Sequence, residues 1–287
     1  MSAKVYPQQF EYVRPTSVDE AISILASNPD AKVLAGGHSL IPAMKLRLAA
    51  PGTIVDIGRI KGLSGIKDGK GVKIGATTTY ASVVDSDKFG DFPVVVDATK
   101  QVGDPSVRNR GTVGGSMAHN DPAADLTAVM LALNASVTVK GTGGERDIAL
   151  DDLFVGLLTT SLTEDEILTS VNIPSDFAGA RQAYVKHAHP ASGYAVVGVA
   201  VAVKEKDGKV ESARIAVTGA PEHAKRATSA EAALVGKKLD ADSIAAAAAL
   251  AADDLGELNS DVYASAEYRA HLVRVLTKRA LTKAAGL

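Results

Sequence analysis

The sequence contains no cysteine and no tryptophan, and aromatic residues make up only 4% of it. Without thiols, this chain cannot form disulfides, use a thiol nucleophile, build a zinc finger or ligate an iron–sulfur cluster through its own thiolates. Any redox chemistry must therefore rest on a bound organic cofactor or on another subunit. An excess of charge is missing too. The 31 basic and 33 acidic residues leave a net charge of -2, which gives no basic footprint for nucleic acid or for an anionic membrane. Long apolar runs are also lacking: the longest, Ile244 to Ala252, is mostly alanine and far too short to span a bilayer. The opening Met1-Ser2-Ala3-Lys4-Val5-Tyr6-Pro7 has no signal-peptide run, so a cytoplasmic protein without a transmembrane segment is expected.

What is present suits a folded protein. The chain is 46% hydrophobic and 22% charged, close to globular averages. At roughly 150 residues per domain, its 287 residues suggest two domains.

The first 170 or so residues alternate short β-like runs with helical stretches. Ser17 and the acids Asp19 and Glu20 open a helix ahead of Ile22, Ile24 and Leu25. Strands are predicted at 32–35, 54–57 and 72–76, the last entered through a turn at 68–71. Helices are predicted from Pro93 and over Ala123 to Leu133, and a hairpin over 135–148 turns at Gly141-Thr142-Gly143-Gly144. A strand at Ile167 to Ile173 closes on Pro174-Ser175, where the texture changes. Beyond it, Tyr194 to Lys204 and Val210 to Val217 alternate around Lys206-Asp207-Gly208-Lys209, a second hairpin signal. Helices follow at Ala227 to Val235, Asp242 to Leu255 and Ala264 to Ala285. The fold class expected is therefore α+β, with an antiparallel sheet and a helical cluster in the C-terminal third.

Two glycine loops carry the strongest chemical signal. Leu34-Ala35-Gly36-Gly37-His38-Ser39-Leu40 follows a strand, and Arg110-Gly111-Thr112-Val113-Gly114-Gly115-Ser116 repeats the pairing of glycines with a hydroxyl. Glycine lets the backbone approach a ligand closely, and successive amides in such turns make an anion-binding concavity. Together the loops would grip a pyrophosphate without lysine; each taken singly also reads as a tight turn with no ligand. Two look-alikes fail. Gly69-Lys70-Gly71-Val72-Lys73-Ile74-Gly75 has its third glycine one residue late and no helix after it. Gly65-Ile66-Lys67-Asp68-Gly69-Lys70 is one residue short of a Walker loop, with Gly71 where Ser or Thr belongs. Both read as one polar hairpin. In the segment Asp121-Pro122-Ala123-Ala124-Asp125, Asp125 falls in the first turn of a helix, where an acid complements the dipole or accepts from a ribose.

Ala35-Gly36-Gly37-His38-Ser39-Leu40-Ile41-Pro42, Ile74-Gly75-Ala76-Thr77-Thr78, Gly111-Thr112-Val113-Gly114-Gly115 and Asp121-Pro122-Ala123-Ala124-Asp125 together carry a resemblance. Downstream it continues in Glu166-Ile167-Leu168-Thr169, Ile173-Pro174, Tyr184-Val185-Lys186, Gly193-Tyr194-Ala195 and Ser265-Ala266-Glu267-Tyr268-Arg269. Over essentially its whole length the sequence resembles the FAD-binding medium subunit of the molybdenum hydroxylases, the xanthine dehydrogenase family, and within it the medium subunit of aerobic carbon monoxide dehydrogenase.

The resemblance implies a two-part FAD-binding domain of the vanillyl-alcohol-oxidase/PCMH type over residues 1–175, with a break between its parts near 55–60. A smaller domain like the C-terminal domain of the carbon monoxide dehydrogenase flavoprotein would cover 176–287. Ala35, Gly36, Gly37, His38 and Ser39 would cradle the FAD pyrophosphate together with Thr112, Gly114, Gly115 and Ser116. Asp125 would bind the adenosine ribose, and Lys186 and Tyr194 would lie near the isoalloxazine, where a cation stabilises the reduced ring. Val33, Leu34, Leu40, Ala76, Thr77, Gly111, Ala118, Ala124 and Leu168 complete the implied cofactor site. At Ser116 many relatives carry Asn, and a hydroxyl can still donate there.

The remaining candidates carry no chemistry of their own. His187 and His189 would share a face of a strand but lack the acid and further ligands of a metal site. Ser39 and Ser116 have no nucleophile-elbow context, and Tyr268 with Arg269 reads as structural. No catalytic residue and no metal ligand is assigned. By the resemblance the chain is an electron-transfer subunit holding FAD. A large molybdopterin-binding subunit would oxidise substrate, a small [2Fe-2S] subunit would pass electrons on, and a quinone or other acceptor would remove them, in a dimer of heterotrimers. The alternative is a self-contained FAD-dependent oxidoreductase acting on its own small substrate, with Tyr194 and His187 near it.

Overall fold

The computed structural model describes residues 6–287; the segment Met1 to Val5, which opens the region read above for a leader, lies outside the described residues. Three sheets organise the chain. The first is parallel, in the order β1 (Glu11–Val13), β3 (Thr53–Asp56), β2 (Ala31–Leu34). Helix α1 (Val18–Ser27) crosses between its strands, started by Ser17, whose side chain accepts from the Glu20 amide. It buries Ala21, Ile22 and Leu25. The short helix α2 (Leu40–Lys45) follows the first glycine loop and was not read from the sequence.

The second sheet has β4 (Ile66–Gly69) and β5 (Gly71–Gly75) at one side and the hairpin β6 (Ser136–Gly141) and β7 (Gly144–Ala149) at the other. Helices α3 (Tyr80–Val84), α4 (Pro93–Thr99), α5 (Pro105–Arg108), α6 (Val113–His119) and α7 (Asp125–Ala132) lie between those halves in sequence. After α8 (Leu150–Leu153), a small hairpin pairs β8 (Phe154–Gly156) with β9 (Thr159–Thr160). Strand β10 (Ile167–Pro174) then inserts between β5 and β6, antiparallel to both. The polar segment 65–75 is thus a hairpin in the structure, as its turn residues predict.

The third sheet runs β11 (Arg181–Ala188), β12 (Ala195–Lys206), β13 (Lys209–Thr218), β14 (Lys225–Arg226). Its central turn places both Asp207 and Gly208 at positive φ, the geometry that matches the twist of a two-residue hairpin. Helices α9 (Thr228–Leu234) and α11 (Ala266–Ala285) pack on this sheet, and α10 (Ala241–Leu250) packs against those two helices. The predicted helix to Leu255 stops at Leu250. Beyond it, Asp254 turns back to accept the backbone and hydroxyl of Ser229 at 2.6 and 2.8 Å, and Leu255 enters the core.

Helix α7 joins the domains. Every residue from Asp125 to Ala132 is buried, with α4 on one side and β12 and β13 on the other. Its sequence therefore shows no polar stripe. The helix begins at Asp125 rather than Ala123 because the preceding carbonyls have other partners. Pro122 O accepts from the Thr218 hydroxyl at 2.7 Å and the Gly219 amide at 2.6 Å, and Ala124 O accepts from Thr218 at 2.9 Å. Among the described residues no helix is long and apolar enough to cross a membrane.

Candidate functional site

The first glycine loop leaves the C-terminal end of β2. Gly37 sits at φ +78°, which a residue with a Cβ rarely adopts. None of the amides from Ala35 to Leu40 donates a hydrogen bond to another described residue. The Ser39 hydroxyl stands at the start of α2 yet makes no cap bond. A run of free backbone donors is a feature that can bind an anion. His38 is exposed, its ring at 3.5 Å from Gly36 O, too long for a firm bond.

The second loop meets the first directly. A Cβ on Gly36 would overlap the Arg110 carbonyl oxygen and lie 3.1 Å from Gly111 Cα. Its own amides, however, point inward. Val113 donates to Thr78 O and Gly114 to Ala76 O, both at 3.0 Å, while Gly115 donates to Thr112 Oγ1 and Ser116 to Thr112 O. The loops are therefore unequal: the first presents donors and the second closes behind it. The inward bonds fix the loop to Ala76 and Thr78, which follow β5, and a Cβ on Gly114 would come within 2.6 Å of Ala76.

Behind that contact lies Thr77. It is buried, and its Oγ1 has no hydrogen-bond partner among the described residues. Buried hydroxyls are normally satisfied, so this one is free to accept or donate to a bound group. Leu168, buried in β10, forms the apolar wall next to Thr169, whose carbonyl accepts the Ala76 amide. Val33, Leu34, Leu40 and Ala124 are half-buried around the loops, and Ala118 is exposed on α6.

Tyr80, unremarked in the sequence, links the loops to the rest of the site. Its amide donates to Gly111 O, and its ring occupies the space a Cβ on Gly111 would need. Burial pushes its phenol up to about 12; the Ser116 side chain opposes this, while Tyr194 and Asp125 add to it. Ser116, Tyr194 and Asp125 are therefore all near the Tyr80 phenol.

Asp125 is 5% exposed and pairs with the equally buried Lys186 at 3.0 Å. The Tyr184 hydroxyl donates to the same carboxylate. Burial pushes the Asp125 carboxyl up, against the pull of the Lys186 charge and then of the Tyr184 hydrogen bond. The Tyr184 phenol is held well above its ordinary value by burial and by the charge of Asp125. Asp125, expected at the adenosine ribose, and Lys186, expected near the isoalloxazine, are thus in direct contact. Tyr194 is 48% exposed at the lip, its phenol raised by burial, Asp121 and Asp125.

His187 and His189 part company. The strand bulges after His187 and ends at Ala188; His187 meets Tyr268 edge-on and His189 packs against Tyr263. Asn120 ends α6 in the left-handed region and donates to Gly156 O and Thr159 O, fixing the β8–β9 hairpin. Among the described residues no group of histidines and acids could hold a metal.

A free amide run, glycines whose backbones touch, an orphaned buried hydroxyl and a lysine-poor cradle fit the diphosphate of a dinucleotide. Residues 8–176 match the family described as the FAD-binding domain in molybdopterin dehydrogenase. The chain belongs to that family. Residues 182–284 match the carbon monoxide dehydrogenase flavoprotein C-terminal domain. The nicotine 6-hydroxylase medium subunit of Paenarthrobacter nicotinovorans is 39% identical, covering 95% of this chain and 96% of its own. The carbon monoxide dehydrogenase medium chain of Hydrogenophaga pseudoflava is 37% identical over 97% and 98% of the two chains. A solved carbon monoxide dehydrogenase chain from the same organism superposes with a TM-score of 0.93 at 39% identity, over 98% of both chains. This two-domain flavoprotein is an FAD-binding medium subunit of the molybdenum hydroxylases, and as such an oxidoreductase component.

Proposed function

We propose that this medium subunit stands between a small [2Fe-2S] subunit and an external acceptor such as a quinone, while a large molybdopterin subunit oxidises the substrate. The assembly we propose is a cytoplasmic dimer of heterotrimers. The observation that carries the reading is the run of free amides from Ala35 to Leu40, closed by the backbone contact between Gly36 and Arg110. It can neutralise a diphosphate without any charge that would compete in electron delivery. The cluster ligands must lie elsewhere, since the sequence has no cysteine.

When bound, FAD supplies the exchange between one-electron centres and a two-electron acceptor. This chain's residues then bind and orient it. The amides of Ala35, Gly36, Gly37, His38, Ser39 and Leu40 hold the diphosphate; Thr112 and Ser116 bound it, and Thr77 donates its unpartnered hydroxyl. Val33, Leu34, Ala76, Gly111, Gly114, Gly115, Ala118, Ala124 and Leu168 shape the walls. Asp125, Lys186 and Tyr194 border the flavin end. We place the domain boundary at 175/176, with the break between the two parts of the first domain near 55–60. The parallel three-stranded sheet followed by a five-stranded sheet supports the vanillyl-alcohol-oxidase/PCMH type for that domain. The substrate is not set here, because relatives of similar identity are named for nicotine and for carbon monoxide.

The test is purification of the full chain. A flavin absorption band, with FAD released on denaturation, together with co-purification of molybdenum- and iron-bearing subunits, is expected. Turnover of a small substrate by the isolated chain would overturn the subunit reading.

A further inference from the structure

Lys186 is more tightly held than a residue that contacts a cofactor needs to be. Its ammonium has three N–H donors, and three acceptors of this chain meet it: Asp125 at 3.0 Å, Gln101 O at 2.8 Å and Gly193 O at 2.9 Å. Each acceptor belongs to a different part of the molecule. Asp125 starts α7, Gln101 lies between α4 and α5, and Gly193 is in the loop joining β11 to β12.

That last loop is a closed unit. Gly193 N donates to His189 O and His189 N to Tyr194 O, both at 2.8 Å, with Gly193 at φ +73°. Fixing the Gly193 carbonyl therefore fixes Tyr194. The Gln101 segment is equally determined, because Arg108 Nη1 gathers the carbonyls of Lys100, Val102 and Gly103 around it. On the far side of Asp125, Tyr184 completes the arrangement. Gly198 on the neighbouring strand makes room for it, since a Cβ there would overlap the Tyr184 hydroxyl.

We propose that Lys186 is a positioning residue: it fastens the Tyr194 loop of the second domain to Asp125 and Gln101 of the first, and acts on the flavin through Tyr194. This rests on the reading above that Tyr194 borders the flavin. It assigns to Lys186 a mechanical task in place of donation to the ring, for which no N–H remains.

The experiment uses the full chain loaded with FAD and reads flavin emission, which a tyrosine packed against the ring quenches. Three variants are compared: Tyr194→Ala, Lys186→Met and the double. Emission is expected to rise by the same factor in all three, with FAD still bound. If Tyr194→Ala raises emission and Lys186→Met does not, or if the double exceeds Tyr194→Ala, the fastening role is wrong while the placement of Tyr194 stands. If FAD is bound and Tyr194→Ala changes nothing, the placement itself is wrong and the proposal falls with it. Should Lys186→Met fail to fold, the charge-free pair Asp125→Asn with Lys186→Met replaces it and must give the same rise. Lys186→Arg is expected to restore part of the quenching by keeping donors to the two carbonyls.

Discussion

Gly36 and Arg110 touch backbone to backbone, although 74 positions separate their numbers (110 minus 36) and they belong to different glycine loops. The contact leaves no volume for a side chain on Gly36. Gly36→Ala is expected to part the loops and weaken FAD binding by about tenfold or more, ~1.4 kcal/mol. Fluorescence titration of the apoprotein measures it. Gly69→Ala is the control: nothing lies within 4 Å of its Cβ, so binding should hold. Equal affinity for both variants would remove the loop contact from the cofactor site.

Thr77 separates binding from stability. Its hydroxyl has no partner among the described residues, so Thr77→Val should leave the apoprotein as stable or stabilise it by about 1 kcal/mol. FAD affinity should fall in the same variant. Denaturant melts with and without FAD read both effects, and a loss of apoprotein stability would contradict the assignment.

The Asp125–Lys186 pair should behave as a buried ion pair. Removing only the lysine, in Lys186→Met, leaves a desolvated carboxylate and is expected to cost about 3–5 kcal/mol. Neutralising both partners, with Asp125→Asn added, should recover most of that. A double variant no more stable than Lys186→Met would show that the charges are not coupled.

Tyrosine burial sets the alkaline limit. Tyr80 titrates at about 12 in the folded protein against an ordinary phenol near 10 when unfolded. A folded value above the unfolded one gives stability that is complete below pH ~10 and is lost as pH rises toward ~12. Tyr184 acts in the same direction. Urea midpoints measured from pH 9 upward should fall over that window, and less steeply in Tyr80→Phe.

Much of this was legible where the signal is local. The Asp207-Gly208 turn, the Ser17 cap and the Gly141–Gly144 hairpin are short-range chemistry, and each forms where its residues say. The glycine loops were recognisable for the same reason. Their inequality was not, because the amides of Val113 and Gly114 are engaged by Thr78 and Ala76 through tertiary docking rather than local preference. Likewise, the pairing of Asp125 with Lys186 was not legible, since nothing in a linear sequence announces a contact spanning 61 positions. Tyr80 gave no signal at all, lacking any motif of its own.

Helix α7 is enclosed by both domains, and the Pro122 carbonyl that precedes it accepts from Thr218 and Gly219 of the second domain, while Ala124 O is shared between Thr218 and its own helix's Thr127. Severing the chain after Pro174 would strip one flank of that helix and remove both donors to the Pro122 carbonyl. The flavin cradle is therefore not a portable module. Recombination that exchanges one domain without the other breaks the packing on which the cradle depends, so the two are inherited as a single unit.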